Sequence, residues 1–437
     1  MSIDARLYRG MRDILPADML RREEMLDIVR ETFRLWGFSP ISTPAIEFRE
    51  VLAGKYGEMA DRLIYTLEHD DGLALRYDLT VPLSRVIAMY DSEFPKPFKR
   101  YQIQEVWRAE RAQPRQGRFR EFLQCDVDSV GSDSLTADAE ILALSAELLK
   151  KLKLPGAVTR INHRAMLRGL MEVCGFPSEK EIDICRTVDK LDKIGRDGVR
   201  KQLLDEDYSE ESVDRLLEII QRTGSTEELL DSISGEYGDN QRISRGIDEL
   251  REVISRALDF GAEKDSLELS LSLSRGLDYY TGTIYESYLP EQPQIGSLTG
   301  GGRYDNLIGI FAGRDIPAVG ITIGVDRILA ALSAAGQIES RSTPTRVMVT
   351  VFDQKLLPDS VRLAARFRNR GIPAEVYLDD KRLGKQFSYA DRLDIPFVVI
   401  LGEEEIKRDV IALKHMKSGE QTECSFVDAA ARILENG

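Results

Sequence analysis

The sequence has few cysteines, and they lie far apart. Cys125, Cys174, Cys185 and Cys424 are the four in 437 residues, and no two of them form a C-x-x-C pair. Neither a zinc knuckle nor a disulfide framework is therefore indicated. This usage is typical of a protein from a reducing compartment.

Long apolar runs are missing as well. No stretch approaches the roughly 18 consecutive apolar residues that a membrane-spanning helix needs. The first ten residues, M-S-I-D-A-R-L-Y-R-G, lack the apolar core of a signal peptide. We therefore expect a cytoplasmic protein that has no membrane partner.

Positive charge is in deficit over the whole chain. Its 60 Lys and Arg stand against 74 Asp and Glu, so the formal net charge is −14. A protein that coats nucleic acid nonspecifically relies on global positive charge, and that class is disfavoured. Residues 96–122 are the local exception, with eight Lys or Arg and three Asp or Glu. An anionic ligand is expected there.

The length and the changes of pattern predict several domains. At 437 residues the chain exceeds what one core usually supports. Residues 165–262 are charged, helical in periodicity and poor in strand formers, which indicates a helical insertion. Residues 334–345 have the composition of a linker. From residue 346 onward strands and helices alternate, which predicts a largely parallel central sheet.

A hairpin with a long tip is predicted over residues 106–128. Two β-type runs flank a loop that is marked by Pro114 and Gly117. Arginines at fixed strand positions suit phosphate oxygens, because a planar guanidinium donates two parallel hydrogen bonds and keeps its charge. A solvated basic hairpin is the alternative. The interleaved Phe119 and Phe122 favour a nucleotide site, since a purine can lie between a ring and a cation.

Two helices and an edge strand are predicted around the hairpin. Apolar spacing indicates a helix over residues 17–36. The extended segment after it contains Pro44, which removes a backbone donor, so this strand is expected at a sheet edge or at a boundary between subunits. Residues 133–150 indicate a second helix, capped by Asp133 or Thr136.

Asp78 and Thr80 are predicted to share one side of an extended strand, which turns into a helix at Pro82. Side chains of a strand repeat every two residues, so the two polar groups would together hold an ammonium group. A helix cap is the alternative for such a pair.

The second half of the chain carries three glycine-marked segments. Leucine and serine alternate in the predicted strand over residues 267–286, where Arg275 is either a surface end cap or a buried charge that awaits an anion. T-G-G-G-R-Y-D lacks the residues of a phosphate loop and is predicted to be a tight turn or a bulge where a ligand or backbone comes close. A further strand breaks at Gly324 into a helix. Arg327 in its first turn opposes the helix dipole unless an anion is held nearby.

These stretches together resemble the class II histidyl-tRNA synthetases over essentially the whole chain. The helix and strand ending at Pro44 are similar to class II motif 1, the hairpin from Arg108 to motif 2, and G-I-T-I-G-V-D-R-I-L to motif 3. S-R-G-L-D-Y-Y-T-G-T-I-Y-E and T-G-G-G-R-Y-D are specific to the histidine family. R-Y-D-L-T-V-P and V-D-K-L-D-K resemble its eukaryotic-type sequences.

The resemblance implies an α+β fold. Its core is a class II antiparallel sheet with helices, contributed by residues 1–164, with motifs 1 and 2, and by residues 263–333, with the histidine motifs and motif 3. The helical insertion, residues 165–262, separates these two parts. The linker, residues 334–345, leads to a C-terminal α/β anticodon-binding domain, residues 346–437.

The resemblance also implies which residues bind histidine. The positions that grip its α-amino group match Asp78, Thr80 and Gln124. The positions that line the imidazole pocket match Asp128, Tyr279 and Tyr280. Many bacterial members carry Glu where Asp78 and Asp128 stand, so these shorter acids change the reach of the site.

The ATP side of the implied site is built from basic and aromatic residues. Arg108 matches the motif 2 arginine on the α-phosphate, Phe122 the ring stacked on adenine, and Arg327 the motif 3 arginine beside ATP. Arg118 resembles a γ-phosphate contact. Arg275 matches the arginine that this family sets against the α-phosphate and the histidine carboxylate, where other class II enzymes rely on a metal ion. Arg108 and Arg275 are thus the implied catalytic residues, and both also face histidine.

The implied activity is the ATP-dependent activation of L-histidine and its transfer to tRNA(His) by a homodimer. ATP would enter with Mg²⁺, and no tightly bound, protein-ligated metal is expected. The alternative is a non-catalytic, synthetase-like regulatory subunit of ATP phosphoribosyltransferase. The intact set of Arg108, Arg275 and Arg327 and the C-terminal domain speak against it.

Overall fold

A computed structural model describes residues 3–55, 61–68, 70–274, 279–336, 342–379 and 381–435. They form two compact units. The first unit comprises residues 3–12 and 25–336, and the second comprises residues 13–24 and 342–435. Each unit has its own sheet and its own apolar core.

The helices and strands are numbered in chain order. The described helices are α1 Pro16–Leu35, α2 Arg49–Leu52, α3 Thr80–Met89, α4 Leu135–Lys151, α5 Arg164–Val173, α6 Glu181–Val188, α7 Leu191–Asp205, α8 Glu210–Ile220, α9 Thr226–Tyr237, α10 Gln241–Asp259, α11 Gly309–Ala312, α12 Val325–Ala334, α13 Leu357–Arg368, α14 Leu383–Arg392, α15 Glu403–Arg408 and α16 Phe426–Glu435. The described strands are β1 Ser39–Pro40, β2 Ile46–Phe48, β3 Thr66–Leu67, β4 Asp70–Leu75, β5 Phe98–Trp107, β6 Glu121–Val130, β7 Val158–His163, β8 Leu267–Leu269, β9 Thr283–Tyr288, β10 Thr299–Arg303, β11 Ala318–Ile323, β12 Val347–Val349, β13 Ala374–Val376, β14 Phe397–Ile400, β15 Ile411–His415 and β16 Gln421–Cys424.

An eight-stranded sheet forms the centre of the first unit. Its order is β1-β5-β6-β11-β10-β9-β7-β8, and every pair is antiparallel except the two outermost, which are parallel. The predicted antiparallel core is therefore confirmed. β1 lies at one end of this sheet, and β2 at one end of a three-stranded sheet, β2-β4-β3. The edge position predicted for the proline-containing segment is confirmed for both strands.

The β5–β6 hairpin carries one polar and one apolar face. Strand alternation puts Gln124, Asp126 and Asp128 on the same face of β6. Their partners across the ladder are likewise polar, namely Gln104, Gln102 and Arg100. The opposite face contributes Tyr101, Cys125 and Val127 to the core beneath the sheet. One face of the hairpin is thus packed into the core, and the other face is polar and available to bind a ligand.

Both predicted helices near the hairpin are confirmed within two residues, but the cap of the second was predicted wrongly. The helix predicted over 17–36 is α1, and the one over 133–150 is α4. The cap of α4 is Ser134, whose side chain accepts from the backbone N–H of Thr136. Neither Asp133 nor Thr136 takes this position, because the helix begins at Leu135.

Three predictions of local structure were wrong. β4 ends at Leu75 and α3 begins at Thr80, so Asp78 and Thr80 do not share a strand. The strand predicted over residues 267–286 is interrupted: the Asn162 side chain donates to the carbonyls of Leu271 and Leu273, which removes these groups from strand pairing. T-G-G-G-R is neither a turn nor a bulge but the regular strand β10.

The three glycines of β10 allow a close backbone approach, as their sequence indicated. A Cβ atom on Gly301 would lie 2.1 Å from the carbonyl oxygen of Gly320. No side chain fits at that distance, so this position in the sheet requires glycine.

Helices α5 to α10 span the predicted insertion, and its helical character is confirmed. The long helix α10 packs against α5 through two glycines. A Cβ atom on Gly169 would lie 2.5 Å from Ile243, and one on Gly246 would lie 2.8 Å from the backbone of Met166. Small residues at the crossing let the two helices pack closely, which anchors the insertion to the core sheet through β7 and α5.

The second unit has the predicted strand and helix alternation. Its sheet order is β13-β12-β14-β15-β16, parallel among the first three strands and antiparallel thereafter. The hairpin predicted to turn at Ser418 and Gly419 joins β15 to β16. The short helix α15 was not predicted. The predicted linker falls partly on residues outside the described ranges.

None of the helices in the described part of the chain combines the length and the apolarity that crossing a membrane requires.

Candidate active site

A cavity of about 500 Å³ lies over the polar face of the hairpin in the first unit. The candidate residues that line it are Asp78, Thr80, Arg108, Arg118, Phe122, Gln124, Tyr279, Tyr280 and Arg327. Asp128 lies below the cavity, and Arg275 lies outside the described residues. Segments about 250 residues apart in the chain are therefore brought to one cleft of the size that takes a small ligand.

Arg108 lies directly after β5 and points into the cavity between two aromatic rings. Its Cζ atom is 4.4 Å from the ring centroid of Tyr77 and 5.1 Å from that of Phe122. Nε donates to the carbonyl of Tyr77 at 3.0 Å, and Nη2 donates to Gln124 at 3.4 Å. These contacts fix the plane of the guanidinium, and a planar fork of fixed orientation is suited to phosphate or carboxylate oxygens.

The hairpin tip rests on the start of α12. Gly117 has φ +67, and a Cβ atom there would lie 2.6 Å from the carbonyl oxygen of Asp326. Only glycine permits both this conformation and this approach. The contact brings Arg118 on the tip to the same cavity as Arg327 on α12.

Arg12, from the N-terminal segment, joins the same two elements. Its guanidinium forms an ion pair with Asp326 and lies 3.7 Å from the ring centroid of Phe119. The backbone N–H of Arg120 donates to the carbonyl of Gly10 at 2.9 Å. The N-terminal segment thus holds the tip against α12.

Arg327 lies in the first turn of α12, as the sequence predicted. Its Nη1 donates to the carbonyl of Ser297 at 2.6 Å. This bond directs the guanidinium across the front of the helix toward the cavity. A cation in this place raises the potential at a helix N-terminus that already favours anions.

Asp78 and Thr80 reach the cavity from the start of α3. Asp78 accepts from the backbone N–H of Val81 at 3.1 Å, which is the helix-capping contact that the sequence left open as the alternative. Both residues are nevertheless cavity-lining. The bend at the helix start, not strand alternation, brings them to the same side.

The floor of the cavity contains two buried carboxylates, Asp126 and Asp128. Asp128 forms an ion pair with Arg100 at 2.7 Å and accepts from the hydroxyl of Tyr304. Both acids line a second, very small cavity that shares Thr80, Tyr279, Tyr280, Gly300 and Thr322 with the large one. The floor is therefore an acidic extension of the main cleft.

Burial raises the pKa of both floor carboxyls. It raises the pKa of Asp126 to about 7, against the opposing charge of Arg100 and with the added repulsion of Asp128. It also raises the pKa of Asp128, and Arg100 and the Tyr304 hydroxyl oppose that rise. Shifted carboxyls in a cleft are typical of binding and catalytic sites.

A buried ion pair supports the strands beside the floor. Nε of Arg303 at the end of β10 donates to Asp138 of α4 at 3.0 Å. Asp138 also accepts from the hydroxyls of Thr283 at 2.8 Å and Tyr285 at 3.2 Å. This network fixes β9 and β10 relative to α4, and β10 carries the glycines of the cavity wall.

Several residues of the site were not recognised in the sequence: Arg12, Tyr77, Arg100, Asp138, Arg303 and Tyr304. One signal was available for Arg100. In F-K-R-Y-Q-I-Q-E the polar residues Arg100, Gln102 and Gln104 recur with a period of two, which predicts a polar strand face opposite that of β6. Arg303 and Tyr304 lie in T-G-G-G-R-Y-D and Tyr77 lies in R-Y-D-L-T-V-P, two segments that the resemblance matched without giving these residues a role. Arg12 and Asp138 depend on contacts between distant segments.

Comparison with known proteins gives matches over nearly the whole chain. A family model described as histidyl-tRNA synthetase matches residues 10–328, and one described as an anticodon binding domain matches residues 346–436. The curated histidine–tRNA ligase of Rhodopirellula baltica is 38% identical over 427 residues, which cover 97% of this chain and 96% of that protein. That of Christiangramia forsetii is 39% identical over 443 residues, covering 96% of each.

A solved structure is similar over the full length. The crystal structure of histidyl-tRNA synthetase from Nostoc sp. PCC 7120 matches with a TM-score of 0.90 and 32% identity, and the match covers 100% of both chains.

Proposed function

The chain belongs to the histidyl-tRNA synthetase family, and from this premise we propose how its residues perform the reaction of that family. It is an enzyme that activates L-histidine with ATP and transfers the histidine to tRNA(His). The observation that carries the proposed roles is that Arg108, Arg118 and Arg327 line one cavity together with the aromatic ring of Phe122 and a group of polar side chains.

The amino acid occupies the part of the cavity nearest the floor in our proposal. Asp78, Thr80 and Gln124 hold the α-amino group, since a carboxylate and two side-chain oxygens are suited to an ammonium ion. Tyr279 and Tyr280 pack edge-to-face against each other, with ring centroids 4.9 Å apart, and together line one side of the imidazole subsite. The floor carboxylates lie at the end of this subsite.

ATP occupies the part of the cavity beside the hairpin tip. Phe122 stacks on the adenine, Arg118 contacts the γ-phosphate, and Arg327 lies along the triphosphate. Arg108 contacts the α-phosphate and the histidine carboxylate together. ATP enters as its Mg²⁺ complex, which is the substrate.

Two steps follow from this arrangement. The histidine carboxylate attacks the α-phosphorus in line, which forms histidyl-adenylate and releases pyrophosphate. The terminal ribose hydroxyl of tRNA(His) then attacks the adenylate carbonyl and releases AMP. Positioning and charge neutralisation provide the rate enhancement, because phosphoryl chemistry of this kind needs little covalent participation by the protein.

Arg275 is assigned by family resemblance alone, to the α-phosphate and the carboxylate. We expect Arg275→Ala to lower adenylate formation at saturating histidine by at least about a hundredfold, the effect of removing one transition-state donor. The rate of Arg275→Lys should lie between those of Arg275→Ala and wild type, because lysine keeps the positive charge but lacks the planar guanidinium. Histidine-dependent pyrophosphate exchange measures the rate, and an Arg275→Ala rate within threefold of wild type would exclude this role.

The competing assignment, a non-catalytic regulatory subunit of ATP phosphoribosyltransferase, is not favoured. The curated ligases match both the core and the C-terminal region of the chain. Exchange of labelled pyrophosphate into ATP that depends on added histidine tests the assignment directly. A regulatory subunit binds histidine without exchange.

We also propose that the protein is a homodimer, that it is cytoplasmic and that its domains have the boundaries given above. Ile46 and Phe48 on the outward face of β2 support the dimer, since Phe48 is 61% exposed on an uncovered sheet edge.

Phe48→Glu is expected to convert the dimer to a monomer, because it places a charge in an apolar contact. Light scattering measures the mass. Ile194→Glu, at a half-exposed apolar position on α7, is the control and should leave the dimer intact. A wild-type mass equal to one chain, or a Phe48→Glu mass equal to two, contradicts the proposed interface.

A further inference from the structure

Arg12 connects the two elements that carry Arg118 and Arg327. Its guanidinium lies 3.7 Å from the ring centroid of Phe119 and forms an ion pair with Asp326. Phe119 directly follows Arg118 on the hairpin tip. Asp326 directly precedes Arg327 in the first turn of α12. One side chain therefore binds the sequence neighbour of each cavity-lining arginine.

Asp326 brings a negative charge to the main cavity. Its side chain is only 4% exposed, and it is one of the residues that line the cavity. The proposed function places the triphosphate of ATP in this part of the cavity, beside Arg118 and Arg327. A carboxylate there repels a polyphosphate, because like charges interact strongly where water screens them poorly. Arg12 itself does not line the cavity, so it offsets this charge from outside.

The backbone before Arg12 is fixed by the hairpin tip. The N–H of Arg120 donates to the carbonyl of Gly10 at 2.9 Å, and the N–H of Met11 donates to the carbonyl of Tyr8 at 3.0 Å. Gly10 has φ +89, and a Cβ atom there would lie 2.9 Å from the side chain of Arg120, so this turn requires glycine. Nη1 of Arg120 donates to the hydroxyl of Tyr8 at 2.9 Å. Arg12 therefore extends from a segment bound to the tip and reaches α12.

We propose that Arg12 is a positioning residue for ATP, which keeps Arg118 and Arg327 in place for the β- and γ-phosphates and offsets the negative charge of Asp326. The proposal rests on the proposed function and deepens it, since it gives a role to a residue outside the cavity.

The effect of Arg12 is confined to the outer phosphates. Arg108, which contacts the α-phosphate in the proposed function, is oriented by Tyr77 and Gln124. Loss of the Arg12 side chain should therefore weaken the binding of ATP and leave the binding of AMP and histidine nearly unchanged. A residue that only stabilised the fold would weaken the binding of all three alike.

The test measures KM values in pyrophosphate exchange and the inhibition constant of AMP in the same assay. Arg12→Ala should raise the ATP KM about tenfold, the effect of one charge left without compensation near the protein surface. Arg12→Lys should raise it about threefold, because lysine keeps the charge beside Asp326 but lacks the planar group that covers the Phe119 ring. The histidine KM and the AMP inhibition constant should stay within twofold of wild type for both variants.

A second substitution separates charge compensation from simple tethering. Asp326→Asn removes the negative charge that Arg12 offsets, so the double variant with Arg12→Ala and Asp326→Asn should have an ATP KM within about threefold of wild type. Arg9→Ala is the matched control, because Arg9 is an exposed arginine of the same segment that does not line the cavity. It should leave all three constants within twofold of wild type.

Thermal unfolding tests whether Arg12 acts through the stability of the fold. The Arg12 side chain is 31% exposed, so its ion pair contributes little to stability. Arg12→Ala should lower the unfolding temperature by less than about 4 °C. A larger fall would identify a structural residue and overturn the proposal.

Three further outcomes would overturn it: an Arg12→Ala ATP KM within threefold of wild type, an equal rise of the ATP KM, the histidine KM and the AMP inhibition constant, or no recovery of the ATP KM in the double variant. If Arg12→Ala does not fold, an Arg12→Lys ATP KM equal to that of wild type overturns the proposal. Failure of the proposed function is distinguishable, since wild-type protein would then show no histidine-dependent exchange at all.

Discussion

Arg108→Ala is expected to lower histidine-dependent pyrophosphate exchange by about a thousandfold at saturating substrates, the upper end of what one lost transition-state donor costs. Negative charge builds on the α-phosphate oxygens as the carboxylate attacks. Arg108 is held for this task before any ligand binds, because Tyr77 and Gln124 fix its orientation. Its donors therefore need no reorganisation as the charge develops, which is where electrostatic stabilisation is most effective.

Two matched variants make this prediction specific. Arg108→Lys keeps the charge but loses the planar fork, and it should recover only part of the rate. Arg111→Ala removes an exposed arginine from the same hairpin tip that does not line the cavity, and it should stay within threefold of wild type. A loss below tenfold for Arg108→Ala, or equal losses for Arg108→Ala and Arg111→Ala, would show that Arg108 acts only through the general basicity of the tip.

Asp138→Ala is expected to destabilise the first unit by about 3 to 5 kcal/mol, the usual cost of leaving a buried charge without its partner. Asp138 is fully buried, and its carboxylate accepts hydrogen bonds from Arg303, Thr283 and Tyr285. Its removal leaves the buried Arg303 guanidinium with Asp305 and two backbone carbonyls but without its main anion. The Thr283 hydroxyl loses its acceptor as well.

Urea unfolding followed by circular dichroism measures this loss. Asp231→Ala is the control, because Asp231 forms an ion pair with Arg251 on the surface with 73% of its side chain exposed. Exposed pairs contribute at most about 1 kcal/mol, so Asp231→Ala should barely move the transition. A loss below about 1 kcal/mol for Asp138→Ala would mean that Asp305 and the two backbone carbonyls that Arg303 also contacts replace the lost carboxylate.

The parts of the fold that were predictable are those in which neighbouring residues carry the signal. The helical spacing of α1, the alternation of β6 and the break at Gly324 before α12 each follow from residues a few positions apart. The same holds for the strand and helix order of the second unit, where apolar runs and turns alternate at regular distances.

The errors arose where a distant segment overrides the local pattern. The leucine and serine alternation after residue 267 is that of a strand, yet the Asn162 side chain takes the carbonyls that strand pairing would use. T-G-G-G-R has turn composition, yet β9 and β11 provide partners on both sides and make it a strand. Local propensity is a weak prior when two neighbours already supply a ladder.

The candidate site likewise has one part that the sequence indicated and one part that only the fold shows. Sequence resemblance indicated the lining residues of the cavity, whose roles remain predictions. It did not indicate which carboxylate on the floor is already engaged, because that depends on Arg100 and Tyr304 reaching Asp128 across the sheet. Alternation alone puts Asp126 and Asp128 on the same face of β6, and only the packing of the folded chain distinguishes their surroundings.

The ion pair between Arg12 and Asp326 joins residues separated by 314 positions. On a ribosome that adds about 5 to 20 residues per second, Arg12 would be synthesised roughly 15 to 60 s before its partner. From the synthesis of Gly117 until that of Asp326 the hairpin tip has no α12 to rest on, since Gly117 contacts backbone that has not yet been made. The nucleotide half of the cleft is consequently a late product of synthesis, and a nascent chain that stops short of residue 326 presents its arginine-rich tip unclamped.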